Sequence, residues 1–188
     1  MSLKSFLEFD QKVTGAIRLQ DPHHKFKPVA AFFAHSGDSW FIEIALFILW
    51  LLSKDRWHQM VAWMAGCVVV LAVLVIAIKF LIRRQRPEGD WGAIYRNTDP
   101  HSFPSGHAAR TAMLTVLAFA FAPAWLGYLF IVWALLVSLA RVWMGVHYLS
   151  DVLAGIVLGA LFALATLPLA PILFNWLPFV FSNASSLL

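Results

Sequence analysis

Long apolar runs separated by short polar breaks fill most of this chain. The first clear run extends from about Trp40 to Leu52, and Ser53-Lys54-Asp55-Arg56 separates it from a second, about Trp57 to Ile82. At ~1.5 Å per helical residue the second is long enough to cross a hydrocarbon core of ~30 Å. A third run covers Gly106 to Phe121, a fourth about Trp125 to Trp143 after a turn at Pro123, and a fifth about Asp151 to Leu167. None shows the period-two alternation of a barrel strand, and a backbone in lipid must satisfy its own hydrogen bonds, so the runs predict helices. Ala30–Ala34 extends the first run backwards across Ser36-Gly37-Asp38-Ser39, which leaves its start open. Pro168, Pro171 and Pro178 interrupt the hydrophobic tail and leave a sixth span open. The expected fold is all-α, an integral-membrane bundle of about five transmembrane helices.

Residues 1–28 mix Leu3, Phe6, Leu7, Phe9, Val13 and Ile17 with Lys4, Glu8, Asp10, Lys12 and Arg18. That spacing predicts an N-terminal amphipathic helix lying in the headgroup layer, ended by Asp21-Pro22. The segment lacks the apolar core and small-residue site of a cleaved signal peptide. Residues 83–104 are the long polar stretch between runs, rich in Pro and Gly, and a loop of that length in a compact protein is usually functional or disordered. The chain therefore reads as one domain, 1–188, with an interfacial segment at 1–28 and an active-site loop at 83–104. Gly155 and Gly159, flanked by Ala154 and Ala160, predict close helix packing within the bundle.

Composition agrees. Hydrophobic residues make up 61% and charged residues 13%, with a mean hydropathy of +0.75, which excludes an ordinary soluble domain. Nine Trp and sixteen Phe suit a chain with two lipid–water interfaces to anchor. Cys67 is the single cysteine, so no internal disulfide forms. The net charge of +4 is small and clustered, pointing to anionic headgroups or substrates and not to nucleic acid.

Alternating the spans across the bilayer puts the end of the second, the start of the third, the end of the fourth and the start of the fifth on one side. Those ends carry Lys79 and Arg86, Ser105 and His107, Arg141, and His147 with Asp151. Ionisable groups at membrane depth are costly, so their convergence implies a site. Lys79, Arg86 and Arg141 supply the charge to hold a phosphoryl group. Ser105 and Gly106 open a helix, where a hydroxyl and unpaired backbone N–H groups cradle an anion. His147 and Asp151 are four apart; where that stretch is helical or nearly so both point the same way, and the carboxylate can fix one imidazole nitrogen and leave the other to attack phosphorus. His107 remains to protonate the departing oxygen.

The same residues resemble the type 2 phosphatidic acid phosphatases, which share their site with the vanadium-dependent haloperoxidases. The pattern K-x6-R-P appears as Lys79 to Arg86-Pro87, P-S-G-H as Pro104-Ser105-Gly106-His107, and R-x5-H-x3-D as Arg141, His147 and Asp151. One position departs: Ala140 stands where the family usually has a phosphate-binding Ser. The resemblance implies a phosphohistidine at His147, oriented by Asp151, with His107 as acid and then base. It assigns Lys79, Arg86, Ser105, Gly106 and Arg141 to phosphate binding, with no metal and no cofactor.

The expected substrate is a lipid phosphate or diphosphate, of the undecaprenyl diphosphate, phosphatidic acid or phosphatidylglycerophosphate class. Arg83 and Arg84 add charge beside the site, which would favour a diphosphate or serve as a headgroup anchor. The resemblance implies a bacterial or archaeal cell membrane with the site on its outer face, whereas Lys4, Lys12, Arg18, Lys25 and Lys27 favour the inner face. The alternative function is a non-catalytic lipid-phosphate binding or transport protein, which has no use for His147 and Asp151 at this spacing.

Overall fold

The structure is a computed structural model that describes residues 2–19, 21, 24–88 and 99–181. Its helices are α1 (Leu3–Ile17), α2 (Lys27–Ser36), α3 (Ser39–Leu52), α4 (Asp55–Ile82), α5 (Gly106–Phe121), α6 (Ala124–Trp143) and α7 (Leu149–Thr166). A 3-10 turn at Leu167–Leu169 and the short helices α8 (Ala170–Trp176) and α9 (Pro178–Phe181) complete the described chain. No strand occurs among the described residues, so the expected all-α class holds.

Three helices, Asp55–Ile82, Ala124–Trp143 and Leu149–Trp176, are long and apolar enough to cross a membrane. A fourth is counted if α2 and α3, bent 58° apart, act as one span. The molecule is an integral-membrane helical bundle, with three to four spans by length where about five were expected. The shortfall is α5. Its 16 residues reach only ~24 Å at the helical rise, and Ala108, Ala109, Met113, Leu117 and Ala118 on it are wholly buried. A helix rich in Ala and Thr has a thin profile, so its neighbours close around it and it forms the bundle's axis.

Packing here depends on shape, because lipid offers no hydrophobic drive between helices. The contact between α5 and α7 is the closest in the bundle. A Cβ on Gly159 would lie 1.9 Å from the Ala109 carbonyl oxygen, and one on Gly155 would lie 2.5 Å from that of Ser105. The small-residue pair thus serves packing inside the chain, as its spacing suggested.

α1 ends at Ile17, with Arg18 as its extended C-cap, four residues before the expected break at Asp21. Its aromatic residues Phe6 and Phe9 are exposed, while Asp10 and Thr14 are buried. The tail is not loose. Val180 O accepts hydrogen bonds from Trp50 Nε1 at 2.9 Å and faces His58 Nε2 at 3.1 Å, and Phe181 packs beside Trp63 and Phe174. Residues 89–98 of the expected 83–104 active-site loop lie outside those described. The flanking arms pair, with Ser102 N donating to Arg84 O at 2.8 Å.

Replacing Gly159 by Val should force α5 from α7 and cost about 3 kcal/mol or more. Gly66, where an added Cβ meets nothing within 4 Å, is the control. Melting of the detergent-solubilised protein followed by Trp fluorescence should show Gly159→Val far below Gly66→Ala; equal melting would contradict this packing.

Candidate active site

Five segments deliver side chains to one end of the bundle. The last turn of α4 supplies Lys79, the loop after it Arg86, the start of α5 Ser105, Gly106 and His107, the end of α6 Arg141, and the entry to α7 His147 and Asp151. Gly145 makes the sharp exit from α6: its φ is +65°, and a Cβ there would lie 2.5 Å from Arg18 Nε. Two residues later His147 enters the bundle end.

Asp151 is fully buried in the first turn of α7. Its Oδ2 accepts from Tyr148 N at 2.9 Å and lies 3.5 Å from His147 Nδ1. The other imidazole nitrogen, Nε2, faces Arg86 Nη1 at 3.3 Å. Both ring nitrogens are therefore addressed, one by a carboxylate and one by a guanidinium. Burial pushes the His147 imidazole well below its ordinary pKa, and the positive charges of Arg141, Arg86 and Lys79 act in the same direction. The ring is neutral at pH 7, with an electron pair available at Nε2.

The cations are held by backbone and by one acid. Arg86 Nη1 donates to Val146 O at 2.8 Å and its Nε to Asp99 O at 2.7 Å. Arg141 Nη1 donates to Ala34 O at 3.3 Å. Asp99 bonds Lys79 and sits 2.8 Å from Arg86 Nη2. One carboxylate thus rests on both cations, as an anion from outside the chain could. Ser105 adds a hydroxyl: the residue is fully buried, its hydroxyl does not cap its own helix, and Oγ has no hydrogen-bond partner among the described residues. Gly106 is the first residue of α5, so unpaired helix N–H groups open toward the same region.

His107 lies within electrostatic reach of Arg141, as His147 does. Its Nε2 is 2.6 Å from Asp38 Oδ1, and Asp38 Oδ2 is 3.2 Å from His35 Nδ1. Asp38 stands in the break between α2 and α3. The break that blurred the first span in the sequence is thus where a carboxylate reaches a site histidine. An acidic residue at membrane depth was the available signal. Asp10, Arg84 and Asp99 were also missed as site residues, because their partners are distant in sequence. Arg84, read as spare charge beside the site, is engaged by Asp10 and Asp151 instead. Ala140 belongs to a buried apolar cluster with Ala30, Ala34, Met144 and Val146.

Lys79, Gly106 and His107 border a cavity of about 620 Å³ between α3, α4 and α5. Lys79, Asp99, His107 and Asp38 line its polar end, and Leu71, Val75, Ile76 and Phe80 of α4 its apolar wall. Among the described residues no group of three His, Cys, Asp or Glu could hold a metal ion.

Fold and charge distribution define an integral-membrane protein with a cationic, histidine-bearing cluster at one end of its bundle. Residues 61–174 match the PAP2 superfamily. A decaprenylphosphoryl-5-phosphoribose phosphatase of Mycobacterium tuberculosis is 40% identical over 133 residues, covering 68% of this chain and 71% of that protein. An undecaprenyl-diphosphatase of Sulfolobus acidocaldarius is 36% identical over 96 residues, covering 49% of this chain and 46% of that protein, less than half its length. The crystal structure of a PAP2-type phosphatidylglycerolphosphate phosphatase from Bacillus subtilis superposes with a TM-score of 0.73 at 22% identity, over 89% of this chain and 87% of that one. The chain belongs to the PAP2 superfamily, the type 2 phosphatidic acid phosphatases.

Proposed function

We propose that this protein is a metal-independent lipid phosphatase or diphosphatase working through a phosphohistidine at His147. One observation carries the reading. The His147 ring has Nδ1 3.5 Å from the Asp151 carboxylate and Nε2 3.3 Å from Arg86, a cation of the anion cradle. Nδ1 carries the proton and Nε2 points its electron pair to where a phosphoryl group is held.

In the first step Nε2 attacks phosphorus while the bond to the leaving oxygen breaks. His107 gives that oxygen a proton, and Asp151 stabilises the positive charge appearing on the His147 ring. Lys79, Arg86, Arg141, the Ser105 hydroxyl and the α5 N-terminus from Gly106 bind the phosphoryl oxygens, where charge develops. In the second step water attacks the phosphohistidine, His107 takes the water's proton, the N–P bond breaks and phosphate leaves. Asp38 keeps His107 aimed in both steps.

The substrate is a lipid, because the cavity joins Lys79 and His107 to an apolar wall formed by a membrane-spanning helix. The phosphate sits at Lys79 and the chain runs along α4 into the bilayer. A polyprenyl-linked phosphate or diphosphate is favoured by the two relatives above, whose names carry prenyl substrates. The engagement of Arg84 with two carboxylates takes away one of the charges that pointed to a diphosphate.

Phosphate release by detergent-purified protein from a panel of prenyl and glycerol lipid phosphates and diphosphates is the direct test. Activity should persist in EDTA and fall by about 10³-fold or more in His147→Ala. A fall in EDTA would end the metal-independent reading, and activity retained in the mutant would end the phosphohistidine.

The pH profile gives a second test. His147 must be neutral and is held below the ordinary imidazole range, so its acid limb should fall below the reference value of 6.5. kcat/KM should rise with pH as His147 loses its proton. An acid limb at or above 6.5 would contradict a buried, neutral nucleophile at His147.

For orientation we adopt the outer face of the cell membrane, against the basic residues of the N-terminal segment. Asp10 of α1 contacts Ser150, so that segment lies at the site's end of the bundle. The tail packs at the opposite end, beside His58 at the start of α4. A reporter fused after Leu188 should therefore be cytoplasmic; an external reporter would reverse the assignment.

A further inference from the structure

Arg84 stands apart from the anion cradle although it follows Lys79 by five residues. Its Nη1 donates to Asp151 Oδ1 at 2.6 Å and to Ser150 Oγ at 2.7 Å, while Nη2 donates to Asp10 Oδ2 at 2.6 Å. The guanidinium carbon lies 4.1 Å from the centre of the Tyr148 ring. One side chain thus joins α1, the post-α4 loop and the first turn of α7. We infer that Arg84, held by Asp10 of α1, is a positioning residue for the Asp151–His147 pair, which makes the N-terminal helix part of the active-site framework. This rests on the phosphohistidine reading above.

The geometry assigns each oxygen of Asp151 a task. Oδ1 is taken by Arg84, so Oδ2 is left to Tyr148 N and His147 Nδ1. A carboxylate with one oxygen pinned by a forked cation cannot rotate away from the imidazole. When His147 accepts the phosphoryl group its ring gains positive charge, and a fixed carboxylate meets that charge without reorganising. With Arg84 removed, a fully buried carboxylate would lose an ion-pair partner and its orientation together.

Asp10 fixes the other half of the fork. It is itself buried, its Oδ1 accepts from Ser150 N at 3.1 Å, and its Oδ2 accepts from the Ser150 hydroxyl as well as from Arg84. One turn further along α1, Thr14 Oγ1 accepts from Leu149 N at 3.0 Å. α1 therefore supplies acceptors to the exposed N–H groups at the start of α7, the helix that carries Asp151. A helix serving only as a membrane anchor would have no need of a buried carboxylate and hydroxyl on the face it turns to the bundle. Its exposed Phe6 and Phe9 meet the anchoring role from the other side.

The test compares full-length, detergent-purified wild type with Arg84→Gln, Arg84→Lys, Asp10→Asn and the Asp10→Asn/Arg84→Gln double variant, on whichever lipid phosphate the wild type hydrolyses best. Arg84→Gln should lower kcat about 10- to 100-fold with KM within about twofold, the size expected for losing a charged hydrogen bond that acts on the transition state. Arg84→Lys should recover part of the loss, Asp10→Asn should lose less than Arg84→Gln, and the double variant should be no worse than Arg84→Gln alone. Thermal melting of each variant separates lost fold from lost rate; should Arg84→Gln fail to fold, the kcat–KM split of Arg84→Lys and Asp10→Asn decides. A rise in KM matching the fall in kcat, additive losses in the double variant, or unchanged kcat in a folded Arg84 variant would each overturn the inference. A wild type silent on every lipid is a different outcome, and it removes the phosphatase reading and this inference together.

Discussion

The carboxylate of Asp151 and its own backbone carbonyl hold four parts of the molecule in register. Oδ1 takes Arg84 from the loop after α4, and Oδ2 takes the backbone of Tyr148 at the entry to α7 and faces His147. The carbonyl oxygen accepts from Ser105 N at 2.9 Å, at the start of α5. One fully buried residue therefore sets the distance between a histidine on one segment and the helix start that carries Ser105 on another. A buried carboxylate is costly unless its oxygens are all occupied. That requirement explains why so much backbone turns toward it.

The rest of the site follows from the same difficulty on the other sign of charge. Arg141 is nearly inaccessible to solvent, and Arg86 and Lys79 little less so. Each is met by a carbonyl or an acid brought by a turn, a loop or a helix end: Val146 from the α6–α7 turn, Asp99 from the loop, Ala34 from the last turn of α2. Irregular backbone at this depth is tolerable only where buried groups need its polar atoms. The bend between α2 and α3 belongs to the same pattern, since it carries Asp38 to His107 and gives the Gly37 carbonyl to Arg110.

α5 shows how packing and site depend on each other. Its Ala-rich surface and the glycines of α7 let the two helices touch backbone to backbone, which sets Ser105 against Asp151. A larger residue at Gly159 would widen that contact and open the site at its far end. The thin central helix is also why span counting by length falls short. Hydropathy measures apolar length, whereas α5 is placed by how closely its neighbours can approach.

Sequence alone determined the helical membrane class, most helix limits to within a residue or two, and the cluster of Lys79, Arg86, Ser105, His107, Arg141, His147 and Asp151 at one end. These were legible because apolar run length reports crossing of a slab of fixed thickness, and because alternating spans must bring particular ends together. Asp10, Arg84, Asp38 and Asp99 acquired their partners only in the tertiary structure. Arg84 and Asp10 are seventy-four positions apart, and Asp38 and His107 sixty-nine, with no periodicity to link them. A salt bridge between distant segments depends on where two helices cross and how their ends turn, and those are set by side-chain packing across the whole bundle.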